Sequence, residues 1–185
     1  MSDKMRLFIA AHFPEETNQR LLEFNNFLKE NARGNFTKPQ NLHMTLIFLG
    51  ETDSKTADKI VKIMENTIPN HPVTMKFEKI GRFKRGNESL VWAGGDSQKL
   101  SEIHQQLSTE LQNTGINQDL KKFVPHVTLG RRIQFKTPSR NEKEIDEFLA
   151  SINAEFETSI SKISLMESEL TSTGPNYKEL FTIIL

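Results

Sequence analysis

The sequence contains no cysteine. A disulfide framework, a thiolate nucleophile and any cysteine-ligated zinc or iron–sulfur centre are therefore excluded. Net charge is absent too, since 24 Lys and Arg balance 24 Asp and Glu. Such a chain cannot hold nucleic acid by bulk electrostatics, so any grip on a phosphate backbone must come from a local patch. Long apolar runs are missing: Leu7 to Ala11 is typical, far short of the ~20 residues that span a bilayer. The first residues, Met1 to Arg6, carry no apolar signal core, so no membrane association and a cytoplasmic location are expected. No low-complexity linker divides the chain, and a single domain over residues 1–185 is expected.

What is present is strong periodicity. There are 13 Phe. Helical spacing marks four segments: about 14–30 with Leu21, Phe24 and Leu28; 54–68 with Ala57, Ile60, Val61, Met64 and Ile68; 97–111 with Leu100, Ile103, Leu107 and Leu111; and 139–152 with Ile145, Phe148, Leu149 and Ile152. The last opens on a capping box, Ser139 followed three residues later by Glu142. Strands are predicted at 6–11, 42–49, 73–80, 89–94, 123–130, 156–165 and 178–184. Several strands neighbour strands, which favours antiparallel sheets in an α+β fold over a doubly wound parallel sheet.

One tetrapeptide pattern occurs twice. His43-Met44-Thr45-Leu46 returns as His126-Val127-Thr128-Leu129, 83 residues later. The helices before and after each copy repeat at offsets of about 82 and 85, which predicts two similar lobes, each presenting one motif strand. On a strand, Leu42, Met44, Leu46 and Phe48 would pack while His43, Thr45 and Ile47 face the other way. In the second copy Val127 and Leu129 would pack while His126 and Thr128 face out together. With 15 Thr and 18 Leu in 185 residues, two of five His matching by accident has odds of about 6 in 10,000.

Two imidazoles and two hydroxyls around one space suit acid–base chemistry at phosphorus. Imidazole titrates near pH 6.5, so one ring can be neutral and accept a proton while the other is charged and donates one. The Thr hydroxyls can hydrogen-bond phosphoryl oxygens. No metal or other cofactor is required. A zinc site fits poorly, because only two motif His are available and no acidic residue neighbours them closely. A serine nucleophile lacks its Gly-x-Ser-x-Gly elbow. Which imidazole is acid and which is base stays open on these grounds.

These motifs resemble those of the 2H phosphoesterase superfamily, and within it the RNA 2′,3′-cyclic phosphodiesterases historically called 2′-5′ RNA ligases. The likeness runs from Arg6-Leu7-Phe8-Ile9-Ala10, through Leu42 to Gly50, Val91-Trp92-Ala93-Gly94 and Pro125 to Arg131, to Gly174-Pro175-x-Tyr177. Where the family usually has Phe-Pro-Arg, this chain reads Phe83-Lys84-Arg85. The resemblance implies two lobes related by a pseudo-twofold, with antiparallel sheets lining a central cleft and helices outside. It implies that His43 donates a proton to the leaving ribose oxygen and that His126 accepts one from water. The product would be a 2′-phosphate RNA end, with reversible 2′-5′ ligation as a related activity. The expected partner is RNA or an oligonucleotide with a 2′,3′-cyclic phosphate end, bound by a monomer. Two alternatives remain: a phosphodiesterase for a small cyclic nucleotide or nucleotide-sugar, and a non-catalytic RNA- or nucleotide-binding module.

Thr45, Thr128 and Arg131 are expected to bind substrate, Arg131 only if the strand bends at Gly130. Lys38, Arg82, Lys84 and Arg85 are candidates for a basic rim. Trp92 and Phe13 are read as core rather than as base-stacking rings. Residues 171–177 read as a loop beside the cleft that brings Tyr177 to it. His12, His71 and His104 have no Thr partner and are left outside the site.

Overall fold

The α+β expectation holds, and the arrangement follows from how the strands alternate. The computed structural model describes residues 4–136, 141–172 and 174–185. Nine strands are described: β1 (Met5–His12), β2 (Ala32–Phe36), β3 (Met44–Thr52), β4 (Val73–Arg85), β5 (Glu88–Asp96), β6 (His126–Phe135), β7 (Phe156–Ile160), β8 (Lys162–Thr171) and β9 (Gly174–Ile184). They form a four-stranded sheet, β3-β1-β8-β9, and a five-stranded sheet, β2-β6-β5-β4-β7. Every pairing is antiparallel.

The helices are α1 (Glu15–Asn31), α2 (Ser54–Thr67), α3 (Gln98–Asn113) and α4 (Glu142–Ala150). Their starts obey local chemistry. The Asp53 carboxylate accepts from the Thr56 amide at 2.9 Å, and the Ser97 hydroxyl accepts from the Leu100 amide at 3.2 Å. Ser139, read as the cap of α4, lies outside the described residues. The helix instead begins after Asn141, whose side chain accepts from the Glu144 amide at 3.0 Å.

The repeat is visible in the topology. Apart from β2, inserted after α1, the order β1-α1-β3-α2 matches β5-α3-β6-α4, with β3 beside β1 in one sheet and β6 beside β5 in the other. Each unit is then completed by strands from elsewhere in the chain: β8 and β9 join the first sheet, and β2, β4 and β7 the second. Residues 156–165, read as one strand, are two. The chain leaves one sheet at Ile160 and enters the other at Lys162, with the Ser161 amide donating to the His12 carbonyl at 2.9 Å. One cluster of buried side chains draws on both sheets and on the inner faces of α1, α2 and α3, including Ile9, Leu21, Ile60, Phe77, Val91 and Leu107. Phe13 and Trp92 are buried, as read.

Candidate active site

Each motif strand carries an extra residue at the same place. Opposite β1, Ala10 pairs with Thr45 and Ile9 with Ile47, so Leu46 is bulged. Opposite β5, Trp92 pairs with Thr128 and Val91 with Gly130, so Leu129 is bulged. A bulge reverses which residues face which side. Beyond Leu46, Ile47 turns into the core at 2% exposure and Phe48 emerges at 48%. The expected faces of Ile47 and Phe48 are therefore exchanged. Beyond Leu129, Gly130 takes the core side, where a Cβ would stand 2.7 Å from the Ile133 side chain. Arg131 thereby joins His126 and Thr128 on the open face. The bend needed to bring Arg131 to the site exists, as a bulge. A second irregularity follows at Arg132, whose φ of 55° lies in the left-handed region.

The two motif strands meet at a cavity of about 930 Å³. His43, Thr45, His126, Thr128 and Arg131 all line it. Met44, Leu46, Val127 and Leu129 point away and are buried. Both imidazoles are held alike. His43 Nδ1 lies 2.7 Å from the Asn41 carbonyl, and His126 Nδ1 lies 2.6 Å from the Val124 carbonyl. A carbonyl only accepts, so Nδ1 carries the proton in both rings and Nε2 is the nitrogen left free of that bond. His43 Nε2 lies 3.2 Å from the Thr45 hydroxyl, which donates to it while the ring is neutral. The signal was in the sequence: in each copy the carbonyl comes from the residue two positions before the His.

Burial sets the charge of these rings. His43 is pulled down to about 4, chiefly by loss of solvation; its bond to Asn41 opposes the shift, and the nearby His12, Arg131 and His126 add to it. His126 is also lowered, by loss of solvation first and by Arg131, against its bond to Val124. Both rings are thus neutral at pH 7 in the free protein, unlike the one-charged, one-neutral pair read from reference values. Arg131, which acts on both, forms no ion pair among the described residues.

The basic rim is half of that expected. Lys38 and Arg85 line the cavity, with Arg132 beside them. Arg82 and Lys84 face the other side of β4, where Arg82 Nε bonds Asp146 at 2.6 Å and Lys84 pairs with Glu142, both on α4. Of the stretch 171–177, read as a loop, Thr171 ends β8 and Gly174 to Tyr177 begin β9, which pairs with it. Tyr177 lines the cavity and meets His43 edge-on, with ring centroids 5.1 Å apart. Three contributors went unread. Thr37 clamps β6 by donating to the Thr128 carbonyl at 2.8 Å. Asn41, besides fixing His43, donates to the Pro175 carbonyl at 3.2 Å. His12, set aside for want of a Thr, lies 6.5 Å from the His43 ring and is itself lowered to about 4, by burial and then by Lys162. Among the described residues no three His, Cys, Asp or Glu side chains gather as a metal site, and no helix is long and apolar enough to cross a membrane.

Known proteins resemble this chain in sequence and in fold. The chain is 30% identical over 175 residues to the RNA 2′,3′-cyclic phosphodiesterase of Methanocaldococcus jannaschii, covering 94% of this chain and 97% of that one. It is 30% identical over 181 residues to the protein of the same name from Thermotoga maritima, covering 96% and 94%. The fold matches a crystal structure from Thermus thermophilus with a TM-score of 0.79 at 23% identity, over 98% of each chain. It also matches Escherichia coli LigT complexed with 3′-AMP, with a TM-score of 0.77 at 21% identity, over 98% of each. The pattern of the 2′-5′ RNA ligase superfamily matches residues 13–171, and with paired motifs, fold and relatives in agreement, the chain belongs to that superfamily.

Proposed function

We propose that this protein hydrolyses RNA 2′,3′-cyclic phosphate ends to 2′-phosphomonoesters by metal-independent general acid–base catalysis, with residues 1–185 acting as a single domain, as a monomer in the cytoplasm. The observation that carries the reading is the pair of imidazoles whose Nδ1 protons are engaged by backbone carbonyls in a cavity that Arg131 shares. Arg131, Thr45 and Thr128 hold the phosphoryl oxygens. His126 Nε2 takes a proton from water as its oxygen attacks phosphorus. The P–O3′ bond breaks, and His43 Nε2 gives its proton to that oxygen, leaving a 3′-hydroxyl and a 2′-phosphate. With an RNA 5′-hydroxyl in place of water the same step forms a 2′-5′ linkage. The names of the relatives support the substrate.

Burial lowers both rings, so the assignment of His43 as donor and the reverse assignment each need the proton supplied in the complex. For His43 to be the donor, the substrate's phosphate must draw the proton to it. A substrate with an activated leaving group separates the two: it bypasses the donor, so the variant it rescues, His43→Ala or His126→Ala, names the acid. The proposal as a whole is tested by incubating a dinucleotide ending in a 2′,3′-cyclic phosphate with excess chelator. A 2′-phosphate product is expected. No turnover, or turnover that only added metal restores, would overturn it.

A further inference from the structure

The two motif bulges place one more residue each on the cleft side, and those residues differ. Arg131 stands three positions beyond Thr128, and Phe48 stands three positions beyond Thr45. They occupy equivalent points of the two lobes, since each follows a bulged Leu and a core-facing residue. One lobe thus offers a cation and the other an aromatic ring. Phe48 is 48% exposed, an unusual position for a Phe beside a polar site. It is not isolated. Its ring lies 6.1 Å from Phe8, and Phe8 lies 5.2 Å from both His43 and Tyr177. The Phe48 carbonyl accepts from the Asp119 amide at 2.9 Å, and the next residue, Leu120, is exposed. Ring contacts therefore link His43, through the buried Phe8, to the exposed Phe48, which lies outside the walls of the cavity itself.

We infer that Phe48 is a stacking platform for a base of an oligonucleotide that extends past the cyclic end, and so sets a preference for oligonucleotides over mononucleotides. The inference rests on the proposed phosphodiesterase activity for its substrate class. The chemistry follows from what each lobe presents. Arg131 suits a phosphate, which is charged and localised. Phe48 suits a flat apolar face, and every base has one, so the platform tolerates any sequence. A cyclic mononucleotide seated in the cavity has no second base to reach the platform, whereas a longer chain does. Phe83 is the competing ring: it is 40% exposed and meets His126 edge-on at 5.5 Å. It lies in the other lobe, on the side where water is activated, whereas Phe48 continues from the ring assigned to the leaving ribose oxygen.

The test compares Phe48→Ala, Phe48→Trp and Phe83→Ala with the unaltered protein. Substrates are a mononucleotide 2′,3′-cyclic phosphate and a trinucleotide with the same end. Binding of a 2′-phosphorylated trinucleotide is measured separately. Phe48→Ala should weaken trinucleotide binding and raise its KM roughly five- to a hundredfold, the range for one stacked base, with mononucleotide kinetics unchanged. Phe48→Trp should restore it. Loss on both substrates alike, no loss on either, or transfer of the effect to Phe83→Ala would overturn the inference. If the unaltered protein turns over neither substrate, the phosphodiesterase reading fails by itself. The binding arm still decides the platform: equal trinucleotide affinity in Phe48→Ala and the unaltered protein overturns it, and loss with rescue by Trp supports it.

Discussion

At the scale of single residues, the proposed mechanism rests on where protons already sit. Each motif imidazole donates Nδ1–H to a carbonyl, which leaves one nitrogen per ring for chemistry. Removing either ring removes a proton-transfer partner, so His43→Ala and His126→Ala should each lose about 10²- to 10⁴-fold in turnover, with thermal midpoints little changed. Near-normal turnover in either variant would remove that ring from the mechanism. The pH profile carries a sign. The proposed mechanism needs one ring charged and one neutral, and burial lowers both rings. Above its lowered value the donor in the free protein has lost its proton. The kcat/KM profile should therefore peak on the acidic side of 6.5 and fall as pH rises, while kcat, which reports the complex with its phosphate, falls at higher pH. A kcat/KM maximum at pH 8 or above would contradict this assignment. Arg131→Ala should raise KM more than it lowers stability, because Arg131 has no ion pair among the described residues to lose. Steady-state kinetics beside a melting curve checks it.

At the scale of elements, the helices and the motif strands were legible because period is a one-dimensional property. Leu100, Ile103, Leu107 and Leu111 lie on one stripe whatever surrounds them, and all four are buried. What escaped depends on a second strand. The bulges at Leu46 and Leu129 appear only in register against β1 and β5, so the facing of Ile47, Phe48 and Arg131 could not be read from alternation alone. Strand β2, Ala-Arg-Gly-Asn-Phe, has neither β-branched residues nor alternation; it is a strand because β6 offers it an edge. The end of β8 at Thr171 and the start of β9 at Gly174 hid behind Gly and Pro, which read as loop. Glycine in β4 and β5 answers to packing rather than to turns. A Cβ on Gly81 would come within 2.4 Å of the Trp92 indole, and one on Gly94 within 2.9 Å. Trp92 lies 6.1 Å from the His126 ring. Gly81→Ala should thus displace the indole, lower the thermal midpoint and reduce turnover. Unchanged melting and turnover would show that the indole has room to move.

At the scale of the molecule, acid should loosen the fold before carboxylates dominate. His12 and His43 are both held near 4 against 6.5 in an unfolded chain. As pH falls from 6.5 towards 4 the unfolded chain takes up protons that the folded one refuses, so stability declines, by at most roughly 3 kcal/mol for each ring. Thermal midpoints at pH 7 and pH 4.5 should differ accordingly, and His12→Phe should narrow the difference. The interleaving of the lobes has a consequence in time. Strand β1 is flanked by β3, whose residues follow within 52 positions of the chain, and by β8, which starts only at Lys162. During synthesis on a ribosome the first-made strand can pair on one edge early, but its other edge must wait for nearly the whole chain. Until then it presents an open row of amides and carbonyls to any passing strand. Nascent chains stalled before residue 162 should accordingly stay protease-sensitive and aggregation-prone, and half-chains cut between the lobes should regain order only when mixed.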